Sequence, residues 1–287
     1  MTSSEVIGLT SAERGDAGNG LWLIGIGPGE VGLLTHGAVE AAIACDHRFL
    51  EGYTAIIPDG RLEDLEGVLG SWEQIMRGEV EKPVRLLELA ACSKVALLIV
   101  GDALQATTHI DLVLRCDEAG IPCTVIHGIS ITTLVGKAGL QSYRFGRQTT
   151  IPFSHGEYLP TSPLETILSN LETNLHTLVL FDLDPTGSGE ERPQPMSPGE
   201  AIGLLLSMDE KFDEHRRWEG PATNRAVGDI ESWKAILCSD LGTEVERFRS
   251  GSLTSLADVE GGGMHCLIIP AALHDVEKEA LTRWEGE

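Results

Sequence analysis

Basic residues are scarce in this sequence, and their scarcity argues against several kinds of partner. The chain has 21 lysine and arginine residues against 44 aspartate and glutamate residues, a net charge of -23. A broad nucleic-acid-binding surface needs basic side chains to displace counterions, and anionic lipid headgroups repel an acidic protein. The acidic balance fits an adaptation to solubility or high salt, or attraction to a basic partner.

Long apolar runs and a secretion signal are also missing. No run approaches the roughly 20 residues that cross a bilayer. Residues 1–19 lack the basic start and the apolar stretch of a signal peptide. We therefore expect a flexible polar tail over residues 1–19 and a cytoplasmic protein that binds neither a membrane nor nucleic acid.

The cysteines and histidines form no metal-binding pattern. No two of the six cysteines have C-x-x-C spacing, and the nine histidines are scattered without an H-E-x-x-H motif. This spacing argues against a metal site and against a redox dithiol. The apolar segments around most of the cysteines are typical of small core residues in a reduced compartment.

Motifs of several large enzyme classes are absent as well. The sequence has no G-x-S-x-G elbow and no Walker loop. Residues 21–30, LWLIGIGPGE, begin like the dinucleotide fingerprint G-x-G-x-x-G, but Glu30 stands where the third glycine is needed. Because a pyrophosphate is anionic, a carboxylate disfavours it there. The class that remains is a transferase that holds a small cofactor in its loops and catalyses by positioning the reactants.

What the sequence does contain is an alternation of apolar strands and amphipathic helices. Residues 95–100, VALLIV, are typical of a parallel strand covered on both faces. The alternation continues to residue 128, and a second unit of strands and helices follows. We therefore predict an α/β protein with a largely parallel sheet and two domains, residues 20–128 and 129–287.

The predicted strands are residues 21–26, 47–53, 95–100, 122–127, 149–153, 176–184, 235–242 and 264–270. The predicted helices are residues 33–46, 61–69, 82–91, 106–120, 163–174, 198–212 and 274–284. Gly120 is expected to end its helix, and Ser162 to cap a helix with Pro163 in its first turn. Residues 213–233 are charged and carry no clear pattern.

Three loops that follow strands are candidates for a ligand site, because ligands of open α/β sheets bind beyond the carboxyl ends of the strands. Asp102 could accept hydrogen bonds from an amine or a ribose, or cap the next helix. Thr107 and Thr108 could cap that helix, and His109 could be a general base or a buried structural residue. Ser130 stands at a good cap position.

Seven segments along the chain form a recognisable series. They are LIGIGPGE, GDALQATTH, VIHGISI, GLQSYRFGR, YLPTSP, LHTLVLFDLD and MHCLIIP. In order and spacing they resemble one family, the diphthine synthases among the tetrapyrrole-methylase-like (class III) methyltransferases, and the resemblance covers about residues 21–280.

This resemblance implies a fold of two α/β domains with an active-site cleft between them, and a homodimer. It implies a methyltransferase that uses S-adenosyl-L-methionine. The acceptor would be the amino group of a 3-amino-3-carboxypropyl chain on a histidine of translation elongation factor 2. The same resemblance places the cofactor contacts at eight positions. They are Pro28, Asp102, Gln105, Ser130, Ile131, Phe181, Leu241 and His265.

The sequence departs from the family pattern at three places. GIGPGE is closer to the tetrapyrrole methylases, Ala103 and Gln105 replace the usual residues of the second motif, and residues 213–233 are altered. A corrinoid or porphyrinoid methyltransferase therefore stays an alternative, as does a binding protein without catalysis. No catalytic base is identified. The polar loop containing His155, Glu157 and Tyr158 is a candidate for the protein-substrate side.

Overall fold

The computed structural model describes most of the chain. The described residues are 18–57, 60–154, 156, 158–219 and 229–285, with the side chains of 213–219 excepted. Nearly all of the expected tail over residues 1–19 lies outside them. No helix within these ranges is both long enough and apolar enough to span a bilayer.

The first half of the chain forms a five-stranded sheet in which every strand pair is parallel. The order is β3-β2-β4-β1-β5. The strands are β1 (Gly20–Gly25), β2 (His47–Glu51), β3 (Glu73–Ile75), β4 (Lys94–Ile99) and β5 (Cys123–Ile126). The helices are α1 (His36–Ile43), α2 (Leu62–Leu69), α3 (Arg77–Glu81), α4 (Val84–Ala90) and α5 (Ile110–Ala119).

The second half forms another five-stranded sheet, of order β6-β7-β10-β8-β9. The strands are β6 (Thr149–Ile151), β7 (Thr177–Phe181), β8 (Lys234–Ser239), β9 (Arg247–Ser252) and β10 (His265–Ile269). The helices are α6 (Ile131–Leu134), α7 (Ser162–Glu172), α8 (Pro198–Glu219), α9 (Leu253–Ala257) and α10 (Asp275–Leu281). Only the β6–β7 pair is parallel, so the prediction of a largely parallel sheet holds for the first sheet alone.

Both faces of each sheet are covered, which creates four apolar layers. Successive residues of β4 point to opposite faces, so Leu97 packs towards α3, α4 and α5 while Leu98 packs towards α1 and α2. In the second sheet Leu237 packs with α7, α8 and α9, whereas Ile236 packs with α10 and with residues 135–140. The predicted two-unit α/β architecture is confirmed. The exact division at residues 128 and 129 stays a prediction.

Some local predictions are corrected by the structure. The N-cap of α7 is Thr161, without a capping hydrogen bond from its side chain, and Ser162 is already helical. The predicted Ser162 cap is therefore wrong by one position, although Pro163 does lie in the first turn. The helix predicted from residue 106 begins at Ile110, and it ends at Gly120 in the left-handed conformation as expected.

The chain between α8 and β10 was the least predictable part. Helix α8 extends beyond its predicted end to Glu219, and residues 220–228 lie outside the described ranges. Strand β9 and the short helix α9 were not predicted at all. The sequence of β9 is RFRSGS. Its one apolar residue, Phe248, is also the one buried residue of this strand.

A buried polar cluster joins α10 to the start of the second sheet. The carboxylate of Glu277 is fully buried and accepts hydrogen bonds from Arg144 Nη1 (2.5 Å), the Gln141 N–H (3.0 Å) and the His274 N–H (2.9 Å). His176 Nε2 lies 3.0 Å from the same carboxylate. Burial raises the pKa of Glu277, but the hydrogen bonds from the Gln141 and His274 N–H groups and the contact with His176 lower it to about 2.

Candidate active site

The loops that follow β1, β4 and β5 meet at the carboxyl edge of the first sheet. Gly27 and Gly101 exchange two backbone hydrogen bonds of 3.0 and 2.7 Å. A Cβ on Gly128 would lie 2.2 Å from the Gly101 carbonyl oxygen and 2.6 Å from the backbone carbon of Gly25. The glycines at this edge therefore make room chiefly for one another's backbone.

Asp102 fastens these loops together. Its side chain is 3% exposed, and its Oδ1 accepts a hydrogen bond from the Leu104 N–H at 2.9 Å. Its Oδ2 accepts one from the Gly128 N–H at 3.2 Å and lies 2.9 Å from His127 Nδ1. Asp102 thus caps no helix. Its carboxylate fixes the position of two loops relative to each other.

His109 is a buried residue with no place in the cavity described below. It is 2% exposed, its Nδ1 lies 3.3 Å from the Ala103 carbonyl oxygen, and burial lowers its pKa. A hydrogen bond from the His109 N–H to Thr107 Oγ1 shows that this threonine caps the turn before α5. The structure therefore favours the structural interpretation of His109 over a general base.

One cavity lies between the two sheets, and all eight residues predicted to contact a cofactor line it. Pro28, Asp102, Gln105, Ser130 and Ile131 come from the first sheet's edge and the start of α6, where Ser130 Oγ caps the helix by accepting the Thr132 N–H. The rest come from the ends of β7, β8 and β10. They are Phe181, Leu241 and His265.

The cavity has further lining residues that the motifs did not identify. Most are neighbours of predicted positions in the chain. They are Val100, Gly101, Ala106, Thr107, Ile129, Leu134, Leu180, Leu183, Cys238, Asp240, Thr243, Met264 and Cys266. Residues 54–56 also line it, and they follow β2 closely. The strand-end rule, applied to β2, would have found them.

The charge of the cavity is set by acidic residues. Asp102 and Asp240 line it, and no lysine or arginine of the described chain does. The Asp240 carboxylate accepts hydrogen bonds from the N–H groups of Gly263 (2.8 Å) and Met264 (2.9 Å). Burial lowers the pKa of His265, whose Nδ1 lies 2.9 Å from Ser239 Oγ, so the ring is neutral near pH 7. The site suits a neutral or cationic ligand better than a phosphate.

Backbone strain is concentrated at this cavity. Ala106 and Asp240 both line it, and both have positive φ angles, 57° and 52°. Residues other than glycine adopt this conformation rarely, and such strained positions persist where the surrounding structure holds them. The strain supports a functional interpretation of the cavity.

A second cavity opens beside the first. It shares Thr54, Ala106, Thr107 and Leu180 with the first cavity. Its other lining residues come from α3, the turn after β2, the turn before α5 and the start of β6. They are Tyr53, Arg77, Glu81, Thr108, Gln148, Thr149 and Thr150.

The loop proposed for the protein-substrate side is only partly described. His155 and Glu157 lie outside the described residues. Tyr158 is 68% exposed and lines neither of the two cavities. Its role in substrate binding stays a prediction.

Comparisons with known proteins agree on one family. The model of the tetrapyrrole (corrin/porphyrin) methylases matches residues 20–205. A diphthine synthase of Methanothermobacter thermautotrophicus is 34% identical over 269 residues, which cover 93% of this chain and 96% of that protein. One from Methanosphaerula palustris is 35% identical over 270 residues, covering 93% and 98%.

The fold agrees with this result. A solved structure described as a diphthine synthase has a TM-score of 0.77 and 27% sequence identity, covering 92% of this chain and 95% of that one. The chain belongs to the diphthine synthase family of methyltransferases, within the tetrapyrrole methylases.

Proposed function

We propose that the protein transfers methyl groups from S-adenosyl-L-methionine to the amino group of a 3-amino-3-carboxypropyl-histidine in translation elongation factor 2. The family implies a methyl donor and this acceptor. The observation that carries the proposal is that one cavity between the sheets is lined by all eight residues of the family's cofactor pattern.

The residues of that cavity fit this cofactor. S-adenosylmethionine has a positive sulfonium and no phosphate, and the cavity is lined by two carboxylates and by no lysine or arginine of the described residues. Phe181, Leu241 and Ile131 supply apolar surface for a flat adenine ring, and backbone groups beside Gly101 supply hydrogen bonds. A Cβ on Gly101 would meet no atom within 4 Å, so the backbone there is open to a ligand.

The protein's part in the reaction is to position the reactants. When bound, S-adenosylmethionine supplies a methyl group on a sulfonium, which keeps the electron pair of the broken bond. The chain must hold the amine in line with that group, at roughly 3 Å, and exclude competing water. The loops fixed by Asp102 and the strained turn at Asp240 suit this rigid positioning.

The alternative, a methyltransferase of corrinoids or porphyrinoids, is not favoured. The two relatives described above match over nearly the whole chain and are diphthine synthases, whereas the broader methylase model alone would leave both substrates open. We also propose a cytoplasmic homodimer, on the basis of the family. Light scattering on the purified protein would test the dimer.

The proposal is tested by offering labelled S-adenosylmethionine with each candidate acceptor. We expect label to enter elongation factor 2 that carries the unmethylated histidine modification, and a porphyrinoid precursor to stay unlabelled. Elongation factor 2 without the modification is the matched control, because it lacks the acceptor amine. Labelling of the porphyrinoid would support the alternative, and cofactor binding without transfer to either acceptor would indicate a non-catalytic protein.

A further inference from the structure

A buried carboxylate lies beside the cavities without lining either of them. Glu51 ends β2 and is 1% exposed. Its Oε1 accepts a hydrogen bond from the Thr54 N–H at 3.0 Å, and its Oε2 accepts one from Thr54 Oγ1 at 2.5 Å. A carboxylate is rarely buried this completely without a full ion pair, which makes it a candidate for a function.

The groups around Glu51 allow its carboxyl group to exist in both the ionised and the protonated form near neutral pH. Burial raises the pKa of Glu51 to about 7, although the hydrogen bonds from Thr54 and the positive charge of Arg77 oppose the rise. Arg77 comes from α3, where its guanidinium lies over the Tyr53 ring at 5.2 Å and 3.8 Å from the Glu81 carboxylate. Tyr53 and Glu81 are the other titratable groups on this side.

Thr54 connects this carboxylate to the two cavities. It lines both of them, so this residue lies where they join. Its hydroxyl hydrogen is donated to Glu51, and no described residue donates a hydrogen bond to its oxygen. That oxygen is therefore free to accept a hydrogen bond from a ligand amine.

This inference rests on the proposed function. We propose that the acceptor side chain enters through the second cavity, that Thr54 accepts a hydrogen bond from its amine, and that Glu51 takes up the amine's proton through the Thr54 hydroxyl. Thr54 would be the catalytic residue, because it touches the substrate, and Glu51 a positioning and proton-accepting residue behind it.

The proton transfer is balanced in atoms and charge. The ammonium gives one proton to Thr54 Oγ1, while the hydroxyl proton of Thr54 passes to Glu51. The products are a neutral amine, an unchanged threonine and a neutral carboxylic acid. The amine then carries the lone pair that the methyl transfer needs. The junction of the two cavities is a suitable place for this proton transfer. There the amine can face the cofactor while the rest of the acceptor side chain lies outside the cofactor cavity.

Three variants test the proposal: Thr54→Val, Thr54→Ser and Glu51→Gln. With saturating S-adenosylmethionine, we expect Thr54→Val to slow transfer to modified elongation factor 2 by about tenfold or more, and Thr54→Ser to restore most of the rate. The Glu51→Gln variant keeps a side-chain oxygen that can accept a hydrogen bond from Thr54, but its amide cannot take up a proton. Its activity should therefore rise only at higher pH, near the amine's own range of roughly 8.

Binding measurements separate this role from a structural one. All three variants should bind S-adenosylhomocysteine as the unchanged protein does, by calorimetry. Thr161→Val is the matched control, because Thr161 Oγ1 donates to Glu165 at 2.7 Å on the surface, away from both cavities. This control should keep its full rate and its pH profile.

A stability measurement checks that the Glu51 variant folds. Because the folded-state pKa of Glu51 is raised from 4.5 to about 7, folding takes up a proton in that window and stability falls as the pH rises through it. Glu51→Gln should therefore melt at a higher temperature than the unchanged protein at about pH 8, and not at about pH 4.

The outcomes distinguish this inference from the proposed function. If the unchanged protein labels no elongation factor 2, both fail. If it labels the factor while Thr54→Val and Glu51→Gln keep its rate and pH profile, only the roles of Thr54 and Glu51 are overturned. Loss of S-adenosylhomocysteine binding in Thr54→Val would likewise overturn them, since Thr54 would then serve the cofactor.

Discussion

Replacing Asp102 with alanine should weaken the binding of S-adenosylmethionine by roughly 30- to 100-fold. The carboxylate holds the N–H groups of Leu104 and Gly128 and contacts His127, so its loss leaves buried donors unpaired and frees two loops of the cavity. Each buried donor without a partner costs about 1–3 kcal/mol, and about 1.4 kcal/mol corresponds to a tenfold change in affinity.

Calorimetric titration with S-adenosylhomocysteine would measure this effect. Asp46→Ala is a matched control, because Asp46 also binds a strand through its carboxylate, accepting the Lys94 N–H at 2.9 Å, but at the opposite end of the sheet. The control should keep its affinity. Equal affinities for Asp102→Ala and the unchanged protein would contradict the assignment of this cavity to the cofactor.

Replacing Glu277 with alanine should lower the free energy of unfolding by about 3–5 kcal/mol. The substitution leaves the guanidinium of Arg144, which is 10% exposed, without its buried partner, and it removes the hydrogen-bond acceptor of Gln141 and His274. Denaturant unfolding would measure the loss. Glu200→Ala is the control: its carboxylate makes a similar local bond to Ser197, but on the surface, and its loss should cost about 1 kcal/mol.

The contribution of Glu277 should also depend on pH. Its folded-state pKa is lowered from 4.5 to about 2, so the stabilisation is complete above pH 4.5 and disappears as the pH falls towards 2. The shift corresponds to about 3 kcal/mol. The difference in stability between the unchanged protein and Glu277→Gln should therefore shrink over that window. A constant difference from pH 7 to pH 2.5 would contradict this account, because it would mean that the pKa of Glu277 is the same in the folded and the unfolded protein.

The predicted parallel arrangement holds for the first sheet and not for the second, and one strand of each sheet, β3 and β9, was not predicted. Residues 95–99 of β4 are buried on both faces and are all apolar, which makes this strand easy to recognise. Strand β9 lies at the edge of its sheet and buries mainly Phe248, so its apolar pattern is too weak to find. Gly120 ended its helix as predicted because its backbone conformation is left-handed.

Local motifs predicted which residues form the site. They did not predict which of its residues contact one another. The motifs placed Asp102 and His265 on one cavity although they are far apart in the chain. They gave no reason to join Glu51 to Thr54, because Glu51 is a single carboxylate at the end of a strand. In the turn of residues 25–29 the structure packs Gly25 and Gly27 against the neighbouring loops, and Pro28 is the residue of this turn that lines the cavity.

The most direct test of the central claim is to locate the transferred methyl groups by fragmentation mass spectrometry. Elongation factor 2 that carries the 3-amino-3-carboxypropyl-histidine would be incubated with this protein and S-adenosylmethionine, then digested. The account predicts a mass increase in steps of about 14 Da, confined to the peptide with the modified histidine and to the amino end of its side chain. Methyl groups on another residue, or none with the cofactor bound, would contradict it.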